Sequence, residues 1–252
     1  MRKRLIAGNW KLNGDWSLCQ QFVAAFAAEK PAKQQADVDV IVCPPAVYLA
    51  RFAELIQSES SLLQLGAQDV STEKQGAYTG EIAATMLSEL AVEYGIAGHS
   101  ERRYRFAETD QQVVNKMLNL FAANVTPIVC VGEPIEQREA GKAEDFIESQ
   151  LIPVATALAE QGLNGRPMAI AYEPIWAVGT GKSATPEQAQ SMHAYIRSVI
   201  ARFIDTDELR VIYGGSVTPD NATALMAMPD IDGALIGGAS LDPKQFVALA
   251  NV

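Results

Sequence analysis

The chain has 252 residues, with 20 Lys and Arg against 30 Asp and Glu, a formal charge of −10, and 48% hydrophobic residues. That balance belongs to an ordinary globular chain, not a disordered or fibrous one, and its negative charge argues against a nucleic-acid ligand, whose binding rests on Lys and Arg meeting phosphate. A small anionic substrate stays open, because backbone dipoles and one well-placed ammonium outweigh net charge locally.

The start, Met1-Arg2-Lys3-Arg4, is basic, but only Leu5, Ile6 and Ala7 follow before Asn9 and Lys11 break the run. No secretory leader is expected from so short an apolar stretch, and no run elsewhere is long enough to span a membrane. Cys19, Cys43 and Cys130 are odd in number and far apart. They suggest a reducing cytosol and neither a disulfide framework nor a metal cluster.

Taken in order, the first apolar run covers residues 4–7 and leads into Asn9-Trp10-Lys11. Leu18, Phe22, Val23 and Phe26 then form a stripe at helical spacing. Runs follow at residues 38–43, at 62–67 ending in Gln68, and at 92–97 ending in His99-Ser100-Glu101. Residues 125–131 lead to Glu133, and residues 168–172 to Glu173. Thr185-Pro186 opens a helix whose apolar stripe is Met192, Tyr195, Ile196, Val199, Ile200 and Phe203, with His193 on its flank and expected at the surface. Residues 209–213 pass into Gly214-Gly215-Ser216, and residues 231–236 into Gly237-Gly238. Thr218-Pro219 and Asp242-Pro243 mark two more helix starts.

Several of these runs are apolar almost throughout, as strands buried on both faces must be. Eight strand-and-helix units in 252 residues average roughly 31 residues each, one βαβ step apiece. They predict a single α/β domain over residues 1–252, a (β/α)₈ barrel of eight parallel strands inside a ring of helices. A doubly wound open sheet is the runner-up, but the first run lacks the Gly-rich turn that such sheets use.

A barrel concentrates function where strands end, so those residues are the candidates. Most Glu are simply solvated. Glu173, however, precedes Pro174-Ile175-Trp176-Ala177-Val178-Gly179-Thr180-Gly181-Lys182, stiff at its start, apolar in its middle and Gly-rich at its end, the make-up of a hinged lid. A carboxylate beneath such a cover loses water and becomes a stronger base. A lone His in an apolar strand is more often a core residue, but His99 stands at a strand's end. Lys11 and Asn9 supply an ammonium and an amide on the same rim. The two final Gly turns suit a phosphate dianion held by bare N–H groups. Gly181-Lys182-Ser183 fails as a P-loop, because the motif's first Gly would fall on Trp176, and the dinucleotide-like Gly179-Thr180-Gly181 is a weak lone match. Together these groups point to proton abstraction beside a carbonyl in a phosphorylated small molecule, leaving isomerase and epimerase chemistry both open.

Seven segments carry a resemblance: GNWKLNG (8–14), GAYTGEI (76–82), GHSERR (98–103), CVGE (130–133), AYEPIWAVGTGK (171–182), YGGSV (213–217) and IGGASL (236–241). In these the chain resembles the triosephosphate isomerase family over essentially its whole length. The resemblance implies interconversion of dihydroxyacetone phosphate and D-glyceraldehyde 3-phosphate without metal or cofactor. It makes Glu173 the base, His99 the electrophile, Asn9 and Lys11 substrate-binding residues and Glu101 a supporting group. Gly179, Ser216, Gly237 and Gly238 would hold the phosphate through main-chain N–H groups, with residues 174–182 closing over the site. It further implies a homodimer in which the loop at residues 75–80 brings Thr79 near the partner subunit's Asn9. Leu12, Asp69 and Ser183 depart mildly from the family pattern, the first two near the expected interface. Another sugar-phosphate isomerase or epimerase should lack the 173–182 string, and a non-catalytic relative should have lost Glu173, His99 or Lys11.

Overall fold

A computed structural model describes residues 2–28, 38–59, 63–177 and 183–252. Eight parallel strands close into a barrel in chain order: β1 (Arg4–Asn9), β2 (Val38–Cys43), β3 (Gln64–Ala67), β4 (Tyr94–Ala97), β5 (Thr126–Val131), β6 (Met168–Tyr172), β7 (Leu209–Tyr213) and β8 (Gly233–Ile236). Closure is made by β8 returning to β1, with Leu5 beside Gly233 and Gly8 beside Ile236. The barrel expectation is met, and the open doubly wound sheet is excluded because no strand is left at an edge.

Strand ends differ from the apolar runs where burial and pairing part company. Val92 and Ile231 are buried yet precede their strands, held in turns by N–H donation to Leu87 O (3.1 Å) and Met228 O (3.3 Å). At β1 the ladder runs past the apolar stretch to Asn9, which lies beside Cys43. That extension puts a polar amide on the last rung of a strand.

Alternation sorts the strand side chains. Leu5, Ala7, Ile41, Cys43, Ile96, Ile128, Cys130, Ala169, Ala171 and Ile212 fill the interior, while their neighbours Ile6, Val42, Val129, Ile170 and Val211 pack outward on the helices. The helix Trp16–Ala28 buries Cys19, Phe22, Val23 and Phe26. Thr185 caps the helix Pro186–Ile200 in a capping box with Gln188. Phe203 lies past the end of that helix and stays 36% exposed.

His193 is a correction to the sequence reading: it is 0% exposed. It shares the inner face with Ala189, Ile196 and Ile200, at the 3–4-residue spacing of one helix face. Its Nδ1 lies 2.7 Å from Ala189 O, and its ring stands edge-on to Tyr172 at 5.7 Å. Burial pushes the imidazole down to about 4, so it packs as a neutral group.

At the mouth entered by the strands' N-termini, polar side chains plug the barrel. Arg210 Nη1 pairs with Asp39 Oδ2 at 2.7 Å, and the Tyr94 hydroxyl donates to the same oxygen at 2.9 Å. Burial works against the Asp39 charge, but the Lys3 and Tyr94 hydrogen bonds and the Arg210 charge hold its carboxyl below the usual range. Reactive groups collect at the opposite mouth.

Candidate active site

Asn9, Lys11, His99, Glu173, Gly214–Ser216 and Gly237–Gly238 line one pocket of ≈ 410 Å³ at the C-terminal mouth. Five different strands deliver them (β1, β4, β6, β7 and β8), and barrel closure alone brings them together.

Glu173 follows β6 directly and is 1% exposed. Its carboxylate accepts from Ser100 N (2.9 Å) and Ser100 Oγ (3.0 Å), and its Oε1 lies 3.1 Å from His99 Nε2. His99 is the N-cap of the helix Ser100–Arg105, and its Nδ1 accepts the Glu101 N–H at 3.2 Å. With Nδ1 accepting, Nε2 is the ring nitrogen left to donate, and it lies on the side of Glu173 and the pocket. Main chain walls the Glu173 stem. A Cβ at Gly132 would fall 2.0 Å from Glu173 O, and one at Gly214 would fall 2.8 Å from Glu173 Cγ. Behind it, burial and then the Glu173 charge push the Cys130 thiol far up, so it remains S–H.

Asn9 and Lys11 are set by Trp10 between them. That indole is 0% exposed and packs on Phe22 (5.1 Å) and Phe52 (5.9 Å). A buried aromatic of this kind contributes about 1.5–3 kcal/mol by area, and each ring pair about 0.5–1.5 kcal/mol. Asn9 is 5% exposed and its Oδ1 accepts the Lys11 N–H at 3.0 Å. Lys11 has a left-handed backbone, φ 55°, a conformation found at functional turns when neighbours enforce it. Its Nζ pairs with Glu101 Oε1 at 2.7 Å. Burial pushes the Glu101 carboxyl up, but the Lys11 hydrogen bond and charge outweigh it and hold the group below its ordinary value.

The far end of the pocket is backbone. Gly238 starts the turn Gly238–Leu241 after Gly237. A Cβ at Gly237 would lie 3.4 Å from Lys11 Cε, whereas one at Gly238 would meet nothing within 4 Å. Lys11 therefore reaches a surface of bare peptide with open space before it, beside Ser216.

Of the segment expected to form a lid, Pro174, Ile175, Trp176 and Ala177 are described; Val178, Gly179, Thr180, Gly181 and Lys182 lie outside the described residues. The described flanks are anchored on each side. Trp176 Nε1 donates to Glu133 Oε1 at 2.9 Å, an oxygen that also accepts from Tyr172 OH (3.0 Å) and Arg138 (3.1 Å). Beyond the segment, Ala184 N donates to the Tyr213 hydroxyl at 3.1 Å. Sequence reading placed Ser100 and Glu133 on the rim but assigned them no task, and it passed over Tyr213. Rim position was their one signal, because what each touches is set by neighbouring strands.

Among the described residues, no three His, Cys, Asp or Glu side chains are grouped to hold a metal ion, and no helix is long and apolar enough to cross a membrane. Thr79 is exposed. Large apolar side chains also stand out on consecutive segments: Leu12 (95% exposed) after β1, Val47 (84%) after β2, Tyr78 and Met86 after β3, and Phe106 (68%) after β4. The strands that precede these segments, β1 to β4, are neighbours in the barrel.

The comparisons agree with this geometry. The family model described as Triosephosphate isomerase matches residues 4–252. A protein named Triosephosphate isomerase from Xanthomonas oryzae pv. oryzae (strain PXO99A) is 46% identical over 253 residues, covering 100% of this chain and 98% of its own. One of the same name from Herminiimonas arsenicoxydans is 47% identical, covering 99% and 98%, and one from Stenotrophomonas maltophilia (strain K279a) is 46% identical, covering 100% and 98%.

Proposed function

Because the chain belongs to the triosephosphate isomerase family, and so interconverts dihydroxyacetone phosphate and D-glyceraldehyde 3-phosphate, we propose that Glu173 is the base of that reaction, with His99 and Lys11 meeting the charge it creates. The observation that carries the reading is the Glu173 carboxylate 3.1 Å from His99 Nε2, in one pocket with Lys11 and two Gly-rich turns.

The chemistry follows from these groups. Glu173 takes a proton from C1 of dihydroxyacetone phosphate. The C–H electron pair becomes the C1–C2 double bond, and the carbonyl pair moves onto O2. His99 Nε2–H, the Lys11 ammonium and the Asn9 amide stabilise that oxyanion in a site with little water. The Glu173 carboxyl then gives its proton to C2, while the O1 proton passes to O2, leaving an aldehyde at C1. Two donors, Ser100 N and Ser100 Oγ, now hold the Glu173 carboxylate. Hydrogen bonds to a charged base weaken it, so Glu173 must leave Ser100 to reach carbon. Pro174 follows it in the chain, which couples that shift to residues 174–182. Covering by that segment would spare the enediolate from water; the Trp176–Glu133 and Ala184–Tyr213 anchors support this. Ser216, Gly237, Gly238 and Gly179 are the proposed phosphate donors.

Turnover of dihydroxyacetone phosphate in D₂O with excess EDTA tests the scheme. Full activity is the expected result, with deuterium at C2 of the aldehyde in those turnovers in which the Glu173 carboxyl exchanges with solvent before returning its proton. Loss of activity on chelation would remove the metal-free reading.

The homodimer is part of the same proposal, supported by the exposed Leu12, Val47, Tyr78 and Phe106 and by exposed Thr79. Sedimentation should give twice the 27.1 kDa chain mass for the native protein and the single mass for Leu12→Arg. A native monomer would end the dimer proposal. A cytosolic setting is supported by free, buried Cys19, Cys43 and Cys130, and cell fractionation checks it.

A further inference from the structure

Gln68, just past β3, has no part in the scheme above, yet its side-chain amide reaches the main chain of Lys11. Nε2 donates one hydrogen to Lys11 O at 2.8 Å and the other to Cys43 O at 2.9 Å. Cys43 O also accepts the Trp10 N–H at 3.2 Å. One amide thus ties the turn after β1 to the end of β2. Lys11 needs such a tie, because its φ of 55° lies in a region that a residue with a Cβ holds only when its surroundings fix it. Asn9 Oδ1 fixes the N–H side of this residue and Gln68 fixes the carbonyl side. Between them they set the direction in which the side chain leaves, towards Glu101 and Gly237.

We propose that Gln68 is a positioning residue: by holding the left-handed peptide of Lys11 it aims the ammonium at the substrate. The inference rests on the proposed role of Lys11. Without Gln68 the Lys11 carbonyl loses its donor, the turn relaxes to negative φ, and Nζ leaves the line between Glu101 and the phosphate end.

A double-mutant cycle tests this, reading kcat/KM for D-glyceraldehyde 3-phosphate in the native chain, Gln68→Met, Lys11→Met and the double variant. Gln68→Met should lose about 10- to 100-fold, the scale of a positional error near 1 Å, with turnover per chain independent of protein concentration. In the Lys11→Met background the same change should cost less than about twofold, since two residues acting through one group are not additive. Equal losses in the two backgrounds, a loss that disappears at high protein concentration, or near-native activity of Gln68→Met would overturn the proposal. Lys11→Met crippled beside an active Gln68→Met defeats Gln68 alone, whereas an unimpaired Lys11→Met defeats the role of Lys11 and this inference with it. Gln68→Glu gives a second route should Gln68→Met fail to fold. Its carboxylate cannot donate, so activity relative to native should be low at neutral pH and recover as acid restores one donor hydrogen. A ratio flat with pH counts against the proposal.

Discussion

Glu173→Gln should lower kcat by about 10⁴-fold while leaving the fold and substrate binding nearly unchanged, because it removes a general base and little else. The substitution keeps the side chain's length and shape between the main-chain walls at Gly132 and Gly214. An amide oxygen in the place of Oε2 can still accept from Ser100 N, and the NH2 in the place of Oε1 can donate to Ser100 Oγ, at the sites where these groups now meet the carboxylate at 2.9 and 3.0 Å, so the thermal midpoint should move little. What disappears is the basic oxygen pair that can take a proton from carbon and return it. Glu173→Asp keeps the base but draws it back by one methylene, and should cost about 100-fold by misplacement alone. Steady-state rates for the two variants, with unfolding midpoints measured beside them, check the assignment. A Glu173→Gln enzyme within tenfold of native turnover would mean that another group removes the proton.

The next largest effect is expected at His99. His99→Gln should reduce kcat by about 10²- to 10³-fold, the scale set by loss of one preorganised donor to a developing oxyanion. The argument is geometric. The Glu101 N–H donated to Nδ1 at 3.2 Å leaves Nε2 as the nitrogen free to donate, and Nε2 lies 3.1 Å from Glu173 Oε1 in the reacting region. A Gln side chain has a donor, but no aromatic ring to hold it rigidly between a helix N-terminus and Glu173. Its failure should appear in kcat and leave KM nearly untouched, since the oxyanion forms after binding. A mutant that lost only affinity would recast His99 as a substrate anchor.

Much of the fold was legible in the sequence for one reason. Strands buried on both faces have to be apolar throughout, and eight such runs at regular spacing leave few architectures. The runs misjudged strand starts at Val92 and Ile231 because burial extends into turns that do not pair. His193 was misplaced for a related reason: in a barrel the helices sink deep against the strands, so a helix flank can be interior. The candidate site was legible as a list of strand-end residues, since topology puts those on one rim. Its wiring was not. That Ser100 holds Glu173, that Glu133 receives Trp176, and that Gln68 reaches Lys11 depend on which strands are neighbours and how far a side chain extends, and no spacing along one chain encodes that.

The glycine walls around Glu173 bear on how such a barrel diversifies. With a Cβ at 132 landing 2.0 Å from a backbone oxygen, no mutation there can reshape the base's surroundings without moving the strand. Libraries at 132 and 214 should be barren, whereas position 238, where a Cβ meets nothing within 4 Å, has room for new side chains. Substrate range can therefore drift at the anion-facing end of the pocket while the proton-transfer end stays frozen, so descendants of this scaffold would change what they hold sooner than what they do.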